Sequence, residues 1–383
     1  MEKTLPRMLR EVSLKYPDVP AQYTRTTRDG DFSFETYKQL FDTSQLFAAG
    51  LLALGTVREE KIGLISDNRK EWEQSDMGIM TIGACDVPRG CDASENDLKY
   101  ILSFTEVKTC VVENSTQIKK IMNVKNDIPT LKQFIIFDQI SDEVQSLCDA
   151  SNVKIYTFQQ ILDLGKAFTE KNPNRVNEEI EKGQWDDIAA IIFTSGTTGT
   201  PKGVMLSHGN FITQLDELQE RIYLYPGDKA ICVLPVWHVF QRLVEYVILS
   251  QAASICYSKP IGSVLLPDML KLNPTLLPAV PRVFEAVYEG VKKKMRRTGG
   301  IVEGLFNFFT SVAILHSRIS RRLFRKNFRT KYDFIVLSWI FLVIPWILLA
   351  PLKALGNVLV FKKVKAMLGT NFRAGVAGGG AFP

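Results

Sequence analysis

Residues 191–204, IIFTSGTTGTPKGV, set three glycines, five hydroxyl side chains counting Thr194, and one lysine directly behind an apolar run. A compact apolar run bounded by turn residues is how a strand covered on both faces shows itself, so Ala189–Phe193 is expected to be a buried strand. Gly196 and Gly199 open backbone angles closed to other residues and leave room for an anion beside main-chain N–H groups. Ser195, Thr197, Thr198 and Thr200 add hydroxyl donors, and Lys202 adds a point charge suited to phosphate. Between Ile191 and Ser207 there is no carboxylate to repel such a ligand. A loop of this kind demands a rigid strand behind it.

A Walker loop would need Gly directly before the lysine, Ser or Thr after it, and a helix beyond. Here Pro201 precedes Lys202, Gly203 follows, and Val204, Met205 and Leu206 have the look of a second short strand. The loop therefore joins strand to strand. Upstream, apolar positions recur at helical spacing from Tyr37 to Leu52, with Ser33 as the expected cap and Gly55 as the stop. Lys61–Ser66 and Thr109–Glu113 are expected strands, and Glu71–Ile82 and Glu95–Phe104 expected helices. This alternation implies an α/β fold with a largely parallel sheet flanked by helices. At 383 residues the chain exceeds one ordinary domain, and two lobes are expected, 1–180 and 181–383. The charged stretch 168–187 is the expected surface connection between them.

TSGTTGTPKGVMLSH closely resembles the signature loop of the adenylate-forming enzymes, the superfamily of acyl-CoA synthetases, luciferases and peptide-synthetase adenylation domains. The resemblance implies that Thr194, Ser195, Gly196, Thr197, Thr198, Gly199 and Lys202 grip the β- and γ-phosphates of ATP while a carboxylate attacks the α-phosphate. GLISDNRKEWEQSDMGIMTIGACDVP at 63–88 also resembles the acyl-CoA synthetases, which carry a strand, an Asn-Arg turn and a Glu-Trp helix in this order. VLPVWHVFQR at 233–242 is similar to the family's LP-x-x-H segment, where the histidine lies beside the substrate carboxylate. His238 is accordingly the candidate for orienting the carboxylate for in-line attack.

The Trp-His-aromatic pattern and PTLLPAVPRVFEAVYEGV at 274–291 are closest to long-chain fatty acyl-CoA synthetases. Within the second segment, Arg282 and Glu285 are either a structural pair one helical turn apart or functional residues. FRAGVA is expected to be a strand, after which Gly378, Gly379 and Gly380 resemble the turn that passes over adenine and the acyl chain. The resemblance thus implies the N-terminal portion of an adenylate-forming fold and a long-chain fatty acid:CoA ligase, with fatty acid, ATP, Mg²⁺ and coenzyme A as substrates and cofactors. Relatives continue past the glycine turn. Their Mg²⁺-holding glutamate, ribose-binding aspartate and mobile lysine have no counterpart here, so no metal ligand is assigned. A fatty acyl-AMP ligase delivering to a carrier protein, or a non-catalytic membrane-bound remnant that binds nucleotide or fatty acid, are the alternatives.

Phe334–Leu352, FIVLSWIFLVIPWILLAPL, holds 19 residues without a charge. That reaches the lower range for a membrane-spanning helix, although Pro345 and Pro351 argue against a simple straight crossing. Basic residues lie on both sides, from Arg318 to Lys331 and from Lys353 to Lys365, so no inside-outside asymmetry results. The segment, about 311–366 with its flanks, is expected to lie in or on an anionic cytoplasmic leaflet; the alternative is a buried helix covering the acyl tunnel. The N-terminus has no apolar signal core, and the six cysteines form no CxxC pair, which favours the cytosol. A net charge of +6 without a recognition motif gives no reason to expect nucleic acid.

Overall fold

The structure is a computed structural model that describes residues 4–25, 27, 30–194, 201–324 and 335–380, without the side chains of residues 335–338 and 340. In chain order the first elements are α1 (Leu5–Lys15), β1 (Pro20–Thr24), β2 (Ser33–Thr36), α2 (Tyr37–Ala53), β3 (Lys61–Ile65), α3 (Lys70–Thr81), β4 (Cys85–Arg89), α4 (Glu95–Phe104) and β5 (Thr109–Val112). Then come α5 (Ser115–Asn123), β6 (Gln133–Ile136), α6 (Asp142–Ala150), β7 (Lys154–Thr157), α7 (Phe158–Lys171), α8 (Arg175–Lys182), β8 (Ile188–Thr194), β9 (Lys202–Ser207) and α9 (His208–Gln219). The remainder is β10 (Lys229–Cys232), α10 (Val239–Ser250), β11 (Ser254–Tyr257), α11 (Gly262–Leu272), β12 (Leu276–Ala279), α12 (Pro281–Thr298), α13 (Gly300–Leu323), α14 (Ile335–Gly356), α15 (Lys362–Ala366) and β13 (Ala374–Ala377).

The chain divides into two compact units. The first comprises Met1–Lys259, Leu276–Ala279 and Gly375–Gly380; the second comprises Pro260–Thr275, Val280–Ala374 and Ala381–Pro383. This division does not run at residue 180, because β8 pairs with β4 and carries the chain on into the sheet already begun. The first unit holds two sheets. One has the order β7-β6-β5-β3-β4-β8-β9, parallel except for the antiparallel edge pair β8–β9. The other runs β13-β12-β10-β11-β1-β2, with β1, β11, β10 and β12 parallel and β2 antiparallel at its edge. Buried Val, Ile and Ala dominate β3, β5, β6 and β8, as strands covered on both faces require.

Two expectations change. Ser33 starts β2, and the cap of α2 is Thr36, whose hydroxyl accepts from the Gln39 N–H while the Gln39 side chain accepts from the Thr36 N–H. That reciprocal box outcompetes Ser33 because Gln39 sits three residues beyond Thr36. The stretch 168–187 is largely helical: it holds the end of α7 and all of α8, and Glu179 on α8 is buried against Arg58, Arg175 and Lys182. The stretch stays largely on the surface, but Glu179, Glu181, Arg175, Lys182 and Asp187 are paired.

A buried charge cluster joins α3, β4 and α10. Arg242 donates to Asp76 and, at 2.9 Å, to Asp86 Oδ1, while its Nε donates to the Tyr246 hydroxyl at 2.7 Å. Tyr246 donates in turn to Asp76 Oδ2 at 2.6 Å. Glu73 and Glu245 are buried in the same cluster. Burial pushes Asp76 up to about 7 and Glu245 up to about 8, and it raises Glu73 too, with Asp76 adding to the effect. One guanidinium cannot neutralise four carboxylates, and the surplus acids keep protons near neutral pH.

In the second unit α13 and α14 pack together. Trp346 stacks on His316 at 5.6 Å and meets Phe324 edge-on at 5.6 Å, and Gly356 lies so close to the Phe309 ring that a Cβ would approach it to 2.7 Å. Pro345 and Pro351 lie inside α14. The outward side chains are apolar: Phe341 is 70% exposed and Ile344 63%.

Candidate functional site

β8 enters the glycine- and threonine-rich segment as a strand buried from Ala189 to Phe193, and β9 returns antiparallel to it, with Thr194 opposite Lys202 and Phe193 opposite Gly203. The strand–loop–strand geometry read from the sequence is therefore present. Ser195, Gly196, Thr197, Thr198 and Gly199 lie outside the described residues. What is described is the clamp at the loop's base. Tyr100 and Phe104 on α4 stack on each other at 5.7 Å and both meet the Phe193 ring edge-on at 6.1 Å. The Tyr100 hydroxyl donates to the Pro201 carbonyl at 3.2 Å. Gly203 packs tightly opposite Phe193, since a Cβ there would meet Ile191 Cγ2 at 3.0 Å and the Phe193 ring at 3.2 Å.

Thr194 and Lys202 are exposed at the two ends, and Lys202 forms no ion pair among the described residues. An exposed ammonium opposite an exposed hydroxyl suits a phosphate group. Behind β9, His208 opens α9 in a buried position where its Nδ1 accepts from the Leu5 N–H at 3.4 Å. Burial pushes its imidazole down to about 4, so it is a neutral structural tie.

His238 stands exposed between β10 and α10 as the N-cap of α10, where its Nδ1 accepts from the Phe240 N–H at 3.3 Å. That bond leaves Nδ1 without a proton, so Nε2 carries the N–H and can donate outward to a carboxylate. The loop that presents it is held from far away in sequence. Asn68 Nδ2 donates to the Leu234 carbonyl at 2.6 Å, and the Val236 N–H donates to Asn68 Oδ1 at 2.8 Å. Arg89 lies over the neighbouring Trp237 ring at 4.9 Å. The Asn-Arg turn thus has two tasks, since Arg69 pairs with Glu71 at 2.8 Å and Asp138 at 2.9 Å.

The glycine turn reaches the same place. The Gly378 N–H donates to the Ala279 carbonyl at 3.3 Å, and a Cβ on Gly378 would lie 2.4 Å from the Phe240 ring, two residues from His238. Gly379 takes a φ of +74°, which a side chain would strain. Gly380 follows, exposed. His238 and Gly378 are therefore brought together through Phe240. Arg282 and Glu285 lie on α12, and no ion pair joins them among the described residues. Sequence reasoning missed Tyr100, whose role depends on a contact 101 residues away, and the pair of hydrogen bonds made by the Asn68 amide.

One group of metal-type ligands gathers among the described residues: Asp67, Cys91 and Glu113, with ligand atoms within 4.8 Å of one another. Two of its oxygens already accept hydrogen bonds. Glu113 Oε2 accepts from Ser66 Oγ and the Asp67 N–H, and Asp67 Oδ1 accepts from the Cys91 N–H.

Comparison with known proteins agrees with this geometry. Residues 9–335 match the family described as AMP-binding enzyme. A chloroplastic long-chain-fatty-acid–[acyl-carrier-protein] ligase of Arabidopsis thaliana is 30% identical, over 91% of this chain and 48% of the relative. Long chain acyl-CoA synthetase 8 of the same plant is 29% identical over 91% of this chain and 46% of its own, and fatty acyl-CoA synthetase B of Dictyostelium discoideum is 29% identical over 73% and 40%. The chain spans about half the length of these curated relatives. Among solved structures, the adenylation domain of carboxylic acid reductase from Segniliparus rugosus, in complex with AMP and a co-purified carboxylic acid, superposes with a TM-score of 0.65 at 20% identity. That superposition covers 78% of this chain and 51% of the other, and shows the fold. With a strand-bracketed phosphate loop, a histidine-capped helix and a family match over most of its length, the chain belongs to the AMP-binding enzyme family of adenylate-forming ligases.

Proposed function

We propose that this chain carries the nucleotide-gripping and carboxylate-orienting part of an ATP-dependent long-chain fatty acid:CoA ligase. The observation that carries the reading is the clamped pair Thr194 and Lys202 at the ends of the β8–β9 loop. In this reading the loop from Thr194 to Lys202, including Ser195, Gly196, Thr197, Thr198 and Gly199, holds the β- and γ-phosphates. Lys202 neutralises charge that builds on the departing pyrophosphate. His238 donates from Nε2 to the fatty acid carboxylate and holds it in line with the α-phosphate. Gly378, Gly379 and Gly380 let the backbone pass close over the adenylate. Bound Mg²⁺ would offset the triphosphate charge; this reading assigns it no ligand among the described residues. CoA would act as the acyl acceptor.

ATP–pyrophosphate exchange with palmitate tests the loop: Lys202→Ala should lower exchange by about 2 kcal/mol of transition-state free energy or more. Unchanged exchange would remove the lysine from the reaction. A carrier protein as acceptor is the second reading, favoured by the 30% identical carrier-protein ligase. Supplying CoA or a phosphopantetheinylated carrier as sole acceptor and identifying the acylated product decides between them.

The reading extends to a monotopic or peripheral seat on the cytoplasmic face of a membrane. Gly300–Leu323 and Phe341–Ala366 are long and apolar enough to cross one by length and composition, and only 22% and 11% of their windows are buried. Apolar surface removed from water is worth about 25 cal/mol per Å², and that burial supplies the drive. Vesicle flotation in high salt should retain the protein, while serine at Trp339, Phe341, Ile344 and Trp346 should release it. Wild type that stays at the bottom of the gradient breaks this part of the proposal.

A further inference from the structure

The second unit holds a cleft of about 830 Å³ between α11 and α12 that no part of the adenylation reading uses. This is the size of a small-molecule site. We infer that it binds the headgroup and upper acyl chain of one anionic phospholipid, an inference that rests on the membrane seat proposed above.

The two walls differ in chemistry. Leu266, Pro267 and Leu270 of α11 line one side, Lys293, Lys294, Arg296 and Arg297 of α12 line the other, and Val291 and Met367, which pack in one apolar cluster, also line the cleft. The helices approach closely at Gly290, where a Cβ would meet Leu266 Cδ1 at 2.9 Å. A single carboxylate, Glu289, lines the cleft, and Lys292 on the same helix pairs with it at 3.4 Å. Among the described residues Lys293, Lys294 and Arg297 form no ion pair, and Arg296 reaches Glu303 only at 4.0 Å. Cations in the last helical turn complement the helix dipole, which accounts for Arg296 and Arg297 but not for the two lysines a turn earlier.

Four converging cations facing an apolar wall select a ligand with both characters. A free phosphate would leave Leu266 and Leu270 without a partner, and a zwitterionic lipid would leave the net positive wall uncompensated. The next helix in the chain favours a lipid over an acidic protein. α13 opens with Ile301 82% exposed and continues with Val302, Leu305 and Phe308 exposed, so a basic row leads directly into an apolar one. That order of basic and apolar rows is the pattern of a helix pair at an anionic leaflet.

The test titrates the 383-residue chain with dihexanoyl phosphatidylglycerol below its micelle concentration, so that no bilayer is present. Saturable binding is expected, about tenfold or more tighter than for dihexanoyl phosphatidylcholine, and not displaced by an equal concentration of inorganic phosphate. Lys293→Gln with Arg297→Gln should weaken it about tenfold or more, since each basic group near an anionic lipid contributes on the order of 1 kcal/mol. Leu270→Gln keeps every charge and should weaken it as well; both variants lie at exposed positions and should melt like wild type. Equal affinity for the two lipids, displacement by inorganic phosphate or by an acidic peptide, or unchanged affinity in the double variant would each overturn the inference. Flotation reads the apolar helices separately: lipid binding without flotation breaks the membrane seat and leaves the cleft, and flotation without short-chain lipid binding does the reverse.

Discussion

Arg242 in the first unit and Phe341 in the second stand in surroundings opposite to what their side chains prefer: the guanidinium is 0% exposed and the phenyl ring 70%. The first unit tolerates its buried charge because carboxylates, a hydroxyl and aromatic faces gather around it, although its Nη1 is left without a hydrogen-bond partner. Asp76 and Asp86 accept from it, Tyr246 accepts from its Nε, and the Trp72 ring lies 5.3 Å away. Desolvation of such a group costs several kcal/mol, which two carboxylates and the aromatic faces offset. Among the described residues of the second unit, nothing answers Phe341, Ile344 or Ile301 in the same way. A buried charge with partners needs nothing outside its unit, whereas a row of exposed apolar side chains calls for an outside surface. The contrast separates a unit that carries the candidate site from a unit with an exposed apolar surface.

The largest effect should come from removing the centre of the buried cluster. Arg242→Met leaves Asp76 and Asp86 without a cation and should cost about 3–5 kcal/mol in urea unfolding. A loss of about 1 kcal/mol or less would mean that the carboxylates shed their charge at little cost, and the contrast between the units would weaken.

Next in size is the pH dependence of the first unit. His208 is held at about 4 by burial, while in the unfolded chain it titrates near its ordinary 6.5. The unfolded chain therefore takes up a proton first on acidification. This stability is fully present above the unfolded value and is lost as pH falls from 6.5 to 4, by about 3 kcal/mol. Asp76 and Glu245 run the other way. Their folded values are raised to about 7 and about 8, so their contribution is present below the unfolded carboxylate value and is lost as pH rises through 7 and 8. Comparing wild type with His208→Gln from pH 7 to pH 4 isolates the histidine: the wild-type advantage should shrink by about 3 kcal/mol. A constant difference would mean that the imidazole finds water when protonated.

The smallest effect should come from the second unit's surface. Ile344→Ser in vesicle-free buffer should change stability by about 0.5 kcal/mol or less, as surface substitutions usually do. A loss of about 2 kcal/mol or more would reveal a buried side chain and collapse the comparison.

Much of the candidate site is legible in the order of the amino acids alone. The β8 strand, the loop and the β9 return follow from an apolar run, glycines and a second apolar run, all local signals. α4 falls on Glu95–Phe104 as expected because Ser94 and Asp97 form a reciprocal cap at its start. The supports of the site are not legible in this way. Tyr100 on the Pro201 carbonyl, Asn68 on Leu234 and Val236, and Gly378 against Phe240 each join segments more than a hundred residues apart. No periodicity encodes such a pairing.

Neighbouring residues, through their spacing and backbone preference, set the alternation of strands and helices, the donor-rich loop with its single lysine, and the uncharged block at Phe334–Leu352. Which charges are buried, and which apolar groups are not, depends on the packing of distant segments. Arg242 and Arg297 are the same side chain in the same kind of helix, yet one is sealed among two aspartates and three rings and the other lines an open basic cleft. The difference lies in what the rest of the chain packs against each, and burial is a property of that packing.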